Sequence, residues 1–401
     1  MLFSTTTLIS LLPLVLGAPY SEPLDKRAPL LHARGGKAIP GQYIVKFKDG
    51  AAETVLTAAA GKHKTTHVFK GTFKGFSGRL DAASLDSIRK LPEVEYVEED
   101  AVVAIEDFEI STKTGSAPRA IVSQLNPPWN LARLSSHTPG ANAYKYDSTA
   151  GSGTCVYLLG TGIQVTHPQF GGRAVWGTNF VDTTNTDGNG HGTAIAGIIG
   201  SQTYGVAKQT KIVAVKVLGA SGSGTNSGII SGLNYVSTDW PTRGCPNGVV
   251  AALTFGGAHS NAVNTAARNL VLSGIFVATG AGSSNTVIGT SPADEPYVCT
   301  AGASTQSDAA ASYNDYGPLL DIYAPGQNIL TTWNNGGTNT LSGTSFAGAH
   351  IAGLGAYLLR LPSSLTGTRL CAYMQSIATA RILTGVPPNT VNLLAYNGWD
   401  L

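Results

Sequence analysis

Tyr43, Val45 and Phe47 recur at every second position, the period of a strand with one buried face. Residues 83–91 then follow helical spacing with Asp81 placed as an N-cap, and a further strand is predicted at 94–97. From about Ala120 the pattern changes. Short β-branched apolar runs at 155–159, 212–218, 249–253 and 275–278 alternate with stretches of helical periodicity. Unbroken runs of that length fit strands buried on both faces. The alternation predicts an α/β fold, a three-layer arrangement with a mostly parallel central sheet, preceded by a small α+β unit. In such sheets functional residues gather at the carboxyl ends of the strands.

Two boundaries follow. An apolar run from Leu8 to Leu16, ending in Val15-Leu16-Gly17, predicts a signal peptide at 1–17, too short to span a bilayer. Residues 18–119 carry most of the Lys and Glu: a compact unit at about 40–107, then a polar linker at 109–119. Residues 120–401 form the large domain. Lys26-Arg27 is a dibasic candidate for processing.

Composition narrows the function classes. A chain of 401 residues with 42% hydrophobic and 12% charged residues supports a large core plus a second unit. A formal charge of +2, without a basic cluster interleaved with aromatics, argues against nucleic acid. No segment beyond the first seventeen residues could span a membrane. Four cysteines, an even number, suit two bridges in an oxidising compartment, with three pairings open.

Candidate chemistry starts at Asp187-Gly188-Asn189-Gly190-His191-Gly192-Thr193. Flanking glycines would leave the imidazole open to a cleft, as a general base requires, with a helix starting near Thr193. Ser342-Gly343-Thr344-Ser345-Phe346-Ala347 runs into a small-residue helix whose positive end would favour an oxyanion formed at Ser345.

Together these motifs resemble the subtilisin-like serine peptidases, most closely the secreted fungal proteinase K branch. The similarity extends through Trp129-Asn130-Leu131-Ala132-Arg133, Thr161-Gly162-Ile163, Tyr204-Gly205-Val206-Ala207-Lys208 and Val391-Asn392-Leu393-Leu394-Ala395-Tyr396. Pro40 to Val45 and the acidic Glu98-Glu99-Asp100 resemble the inhibitory pro-domain of the same family. The resemblance implies a general base at His191 and a nucleophile at Ser345. It also implies peptide-binding segments at Ser221-Gly222-Ser223-Gly224 and Leu253-Thr254-Phe255-Gly256, where a substrate strand pairs by its backbone. Bridges Cys155–Cys245 and Cys299–Cys371 are implied, as is a structural Ca²⁺ site from Asp321 and the carbonyls of Pro296 and Val298. No catalytic cofactor is implied. A secreted monomer is expected, its partners a peptide or protein and its own pro-domain.

The pattern fails at two places. Gly160 stands where the family's triad acid precedes Thr-Gly-Ile, and Ala281 stands at the position read as the oxyanion Asn. In subtilisin itself, loss of the acid lowers turnover about 3 × 10⁴-fold and loss of the Asn about 10² to 10³-fold, values that belong to that relative. The expected function is a secreted subtilisin-family protein strongly impaired or inactive in peptide-bond hydrolysis that binds peptides. The alternatives are a working endopeptidase of broad specificity using His191 and Ser345, and different chemistry in the same cleft.

Overall fold

Strand Val249–Leu253 is buried at every position, as its unbroken apolar run requires of a strand covered on both faces. It lies near the middle of a nine-stranded sheet in a computed structural model that describes residues 27–33, 37–104, 110–111, 123–360 and 367–400. The predicted signal peptide, Lys26, residues 105–107 of the predicted compact unit and residues 109 and 112–119 of the predicted linker lie outside the described residues.

Across the sheet the strands run Ala174–Asn179, Lys211–Lys216, Cys155–Gly160, Val249–Leu253, Phe276–Gly280, Cys299–Ser304, Ile322–Pro325, Leu393–Leu394 and Thr379–Ala380. All neighbours pair in parallel except the last two. Cys155–Gly160 has later strands on both sides, so the chain reverses its direction of winding there and opens a crevice at the carboxyl end. The histidine helix His191–Gly200 and the serine helix Thr344–Leu359 cover one face. Ile195, Ile198, Ile351 and Leu354 pack with Val156 and Leu158 there. Helices Asn226–Asp239 and Asn261–Leu272 cover the other face, with Ile230, Leu233 and Ala266 against Tyr157 and Val215.

The N-terminal unit has its own sheet, in which Val94–Ala104 pairs antiparallel with Lys37–Phe47, followed by Lys74–Arg79 and Lys64–Lys70. Val45 and Phe47 face the unit's helices, where Leu56 and Ile88 complete a small core. Ile44, Phe73 and Tyr96 instead join the core cluster of the large domain. The sheet is therefore covered on both faces, which the simple alternation at 43–47 did not reveal. The predicted helix lies at Ala82–Arg89, with Asp81 accepting from the Ser84 amide at 2.8 Å. The strand predicted at 94–97 continues to Ala104 because the large domain supplies its remaining partner.

Both bridges form as the resemblance implied, Cys155–Cys245 and Cys299–Cys371, and no free cysteine occurs among the described residues. They close loops of 90 and 72 residues. The chain-entropy account gives each roughly 4 kcal/mol of stabilisation.

Candidate active site

Asp187 organises the histidine side of the cleft. Its Oδ1 accepts from Thr161 Oγ1 (2.8 Å), the Asn189 amide (3.1 Å) and the Gly190 amide (2.8 Å). Its Oδ2 accepts from the Thr193 amide (2.8 Å) and Thr193 Oγ1 (2.6 Å). Five donors saturate this carboxylate, so it ties the end of strand Cys155–Gly160 to the first turn of the histidine helix. It has nothing left with which to orient an imidazole. Gly190, at φ +103°, supplies the left-handed turn that starts the helix at His191, two residues ahead of the expected start.

His191 is buried, against the expectation of an imidazole open to the cleft. Its ring is tilted against Phe346 with centroids 5.8 Å apart. Burial pulls its pKa down to about 4, and the charge of Asp187 opposes that shift only in part. An imidazole in this setting stays neutral but resists becoming imidazolium.

Ser345 lies in the first turn of the serine helix, where the positive helix end was expected. Its Oγ donates to the Thr254 carbonyl at 3.1 Å.

Gly160 closes strand Cys155–Gly160 and is buried. A Cβ built there meets no heavy atom within 4 Å. At Gly177, Gly280 and Gly302, other glycines of the same sheet, a Cβ would meet atoms at 2.8, 2.7 and 2.8 Å. Those three are held to glycine by packing, whereas position 160 is not, nor does its backbone have a positive φ. The strand end thus has open space at the Cβ position of residue 160.

Ala281 is also without a donor, but its methyl does not face the serine. It is wholly buried with Ile288, Ala293 and Leu320 in a separate apolar cluster. The residue that touches the start of the serine helix is Gly282, whose amide donates to Thr344 Oγ1 at 3.1 Å. A Cβ on Gly282 would sit 2.0 Å from Asp315 Oδ2. Sequence reasoning missed Gly282 and Asp315 because the place where a strand bends into its loop cannot be counted from spacing alone.

The segments that the resemblance assigns to peptide binding are already occupied. Ser223–Thr225 pairs antiparallel with the end of the N-terminal unit, in the register Ser223↔Ala104, Gly224↔Val103 and Thr225↔Val102. Ser221 Oγ and Ser223 Oγ are 2.7 Å apart, and Gly222, at φ +75°, forms the turn between them. Val103 lies against Gly257, where a Cβ would come within 2.3 Å of Val103 Cγ1. Leu253 ends its strand, the Thr254 carbonyl holds Ser345, and Gly256 precedes the short strand at Gly257–Ala258. Phe255 is buried in the cluster that contains Val103, so it packs as core and does not line an open pocket. On the other flank, the backbone of Ile110–Ser111 pairs with Thr340–Leu341, just ahead of Ser345. Part of the predicted linker is therefore strand.

Polar contacts secure this docking. Glu98 accepts from the Ala262 amide at 2.9 Å, and Asp100 accepts from the Ser227 amide at 3.2 Å, so each caps a large-domain helix. Asn234 Oδ1 accepts from the Phe73 amide (3.0 Å), and Asn269 Nδ2 donates to the Thr72 carbonyl (2.8 Å).

Asp321 accepts from the Thr300 amide at 2.8 Å and lies beside Gln375, and burial pushes its pKa up to about 6. Neither partner is cationic. Cys299 and Cys371 lie near enough to suggest a metal cluster, but their sulfurs are joined to each other and offer no thiolate.

Comparison with known proteins agrees with this geometry. A family model described as "Subtilase family" matches residues 151–395, and one described as "Peptidase inhibitor I9" matches residues 42–106. The chain is 47% identical over 399 residues to a cuticle-degrading protease of Metarhizium anisopliae, covering 98% of this chain and 99% of that one. It is 46% identical to Proteinase R of Parengyodontium album, covering 98% of each. The crystal structure of a cold-adapted subtilisin-like serine proteinase superposes with a TM-score of 0.64 at 38% identity, covering 68% of this chain and 98% of that one.

Proposed function

We infer the function from one premise: this chain belongs to the subtilase family and carries a peptidase inhibitor I9 domain ahead of the peptidase domain. In its native sequence it is strongly impaired or inactive in peptide-bond hydrolysis and acts as a peptide-binding, secreted member of that family. The open space at Gly160 carries this reading. A general base needs a partner that fixes its tautomer and stabilises the imidazolium. Gly160 offers none, and Asp187 is fully engaged elsewhere. Ser345 keeps the nucleophile position, with His191 as the base it would need.

The backbone edge at Ser223–Thr225 supports the binding role, because strand pairing does not depend on a triad. A pro-domain that the chain cannot cut remains on that edge, so peptides reach it only after another peptidase has acted. We assign the signal peptide to 1–17, the propeptide to 18–119 and the peptidase-like domain to 120–401, and expect a secreted monomer. Calcium has a role only in structure. The Asp321 carboxylate, with the carbonyls of Pro296 and Val298, would form an all-oxygen set suited to that ion.

The test compares purified secreted protein with its Ser345→Ala variant on casein and on a fluorophosphonate probe. Equal, near-background signals from both are expected. Casein hydrolysis that disappears in Ser345→Ala would overturn the reading.

A further inference from the structure

The loop after strand Phe276–Gly280 meets the start of the serine helix through one side chain. Gly282, at φ +111°, breaks the alternation of a strand, so residues 281 and 283 do not share a face. Ala281 turns into its apolar cluster, while Ser283, partly exposed, meets the residue just ahead of Ser345. Its Oγ accepts from the Thr344 amide at 3.4 Å and lies 3.3 Å from Thr344 Oγ1, which itself accepts from the Gly282 amide. With Thr344 donating through both amide and hydroxyl, the lone pairs of Ser283 Oγ are engaged and its own proton is left for a further acceptor. Buried Asp315 pins the loop, its Oδ1 accepting from the Ser284 and Thr286 amides at 3.0 and 2.9 Å. A Cβ on Gly280 would lie 2.9 Å from the Ser345 amide nitrogen, so glycine at that strand end lets the loop approach the nucleophile.

We propose that the Ser283 hydroxyl is the oxyanion donor of this site, in the role that Ala281 cannot fill. This rests on the reading above, that Ser345 keeps the nucleophile position, and it confines the lost chemistry to the acid side. As Ser345 Oγ bonds to a carbonyl carbon, the C=O electron pair moves onto oxygen, and the Ser283 hydroxyl donates a hydrogen bond to that growing charge. Ser283 keeps its own proton, and the proton of Ser345 leaves toward His191. A donor that meets charge only as it forms lowers the barrier without tightening the binding of substrate.

The test uses full-length protein and follows fluorophosphonate labelling of Ser345 by intact mass, with hydrolysis of p-nitrophenyl acetate measured beside it. Gly160→Asp serves as the background, because restoring the acid brings the rate into range. Adding Ser283→Ala is expected to slow labelling about 100-fold, the lower end of the loss seen in subtilisin when one such donor is removed. For the ester, kcat should fall while KM holds. Ser283→Thr keeps a hydroxyl and should retain most of the rate, and the melting temperature should be the same in both variants.

Labelling left unchanged by Ser283→Ala, a rise in KM with kcat held, or a loss that Ser283→Thr does not rescue would each overturn the assignment. If Gly160→Asp restores labelling and Ser283→Ala does not slow it, the donor is wrong and the impaired-triad reading stands. If Gly160→Asp labels no faster than the native sequence, that reading falls, and the Ser283 variants are compared in the native sequence over long incubation. Slowing by Ser283→Ala there upholds the donor. Labelling in neither protein overturns the nucleophile and the donor together.

Discussion

Ser345 and Thr254 are joined by a hydrogen bond of 3.1 Å in which the hydroxyl donates to a backbone carbonyl. The proton that a nucleophilic serine must give up is thus directed at a group with no useful basicity at neutral pH. On the proposed function the acceptor would be His191, which is buried and titrates near 4, a weak base for the same task. The direction of the hydroxyl accords with the proposed function, in which Gly160 leaves the imidazole without a supporting acid.

Replacing Gly160 by Asp restores the acid at a position whose Cβ has no neighbour within 4 Å, so no atom has to move for the first carbon. Fluorophosphonate labelling of Ser345 is expected to rise at least ~100-fold, a fraction of the ~3 × 10⁴ that the acid contributes in subtilisin. Labelling kinetics read by intact mass provide the measurement. The melting temperature should change little.

Restoring the oxyanion donor at Ala281 is expected to fail. Ala281 is wholly buried among Ile288, Ala293 and Leu320, so Asn there would bring an unpaired amide into an apolar cluster. The cost should be about 2 to 4 kcal/mol. Denaturant titration of Ala281→Asn should show that loss without any gain in labelling.

Docking of the N-terminal unit depends on two acids. Glu98 and Asp100 cap helices of the large domain, and burial raises the pKa of both carboxyls. Changing either to Ala should weaken docking by about 1 kcal/mol, as cap removal does elsewhere. Raised values mean that the docked form binds protons more readily than the free form. Docking is therefore strongest below the ordinary carboxylate range and weakens as pH rises through the raised values. Hydrogen exchange at Ser223–Thr225 would report both effects. Protection that falls as the pH is lowered through that range would contradict the assignment.

The buried histidines act on the fold as a whole. His191 and His350 both titrate near 4 because burial disfavours the charged ring, whereas unfolded imidazoles take up protons near 6.5. Between those values the unfolded chain binds more protons, so this part of the stability is complete above about 6.5 and is lost as pH falls toward 4. Each ring can account for up to roughly 3 kcal/mol at the lower limit. Melting temperatures measured from pH 7 to pH 4 should fall steeply, and His191→Gln should flatten part of that slope.

How much could be read beforehand depended on whether the signal was local. The strand runs at 155–159 and 249–253 and the Asp81 cap each lie within a few residues, and the structure has them where the pattern put them. Burial of His191 depends on residues distant in sequence such as Phe346, whose ring packs against it, and no flanking glycine reports that. The direction of the Ala281 methyl depends on where a strand bends into its loop, and the side chain of Phe255, in a segment read as peptide-binding, joins a buried cluster that also contains Val103. Both required the three-dimensional register.

Calcium should stabilise this protein in a pH-dependent way. Asp321 titrates at about 6 because burial raises it, and its partners are an amide and a carboxamide, neither of which offsets a negative charge. An unfolded Asp titrates near 3.9. Without a cation, the contribution of this group is complete below that value and is lost as pH rises through 6, leaving a buried, uncompensated carboxylate at neutral pH. A divalent ion bound by that carboxylate and the carbonyls of Pro296 and Val298 would remove the penalty, more so where the carboxylate is ionised. Added Ca²⁺ is therefore expected to raise the melting temperature clearly at pH 7.5 and much less at pH 5, with EDTA reversing the gain. Asp321→Asn keeps the size and the amide contact but cannot ionise, so it should melt independently of both Ca²⁺ and EDTA. A Ca²⁺ response that survives in Asp321→Asn would place the ion elsewhere in the fold.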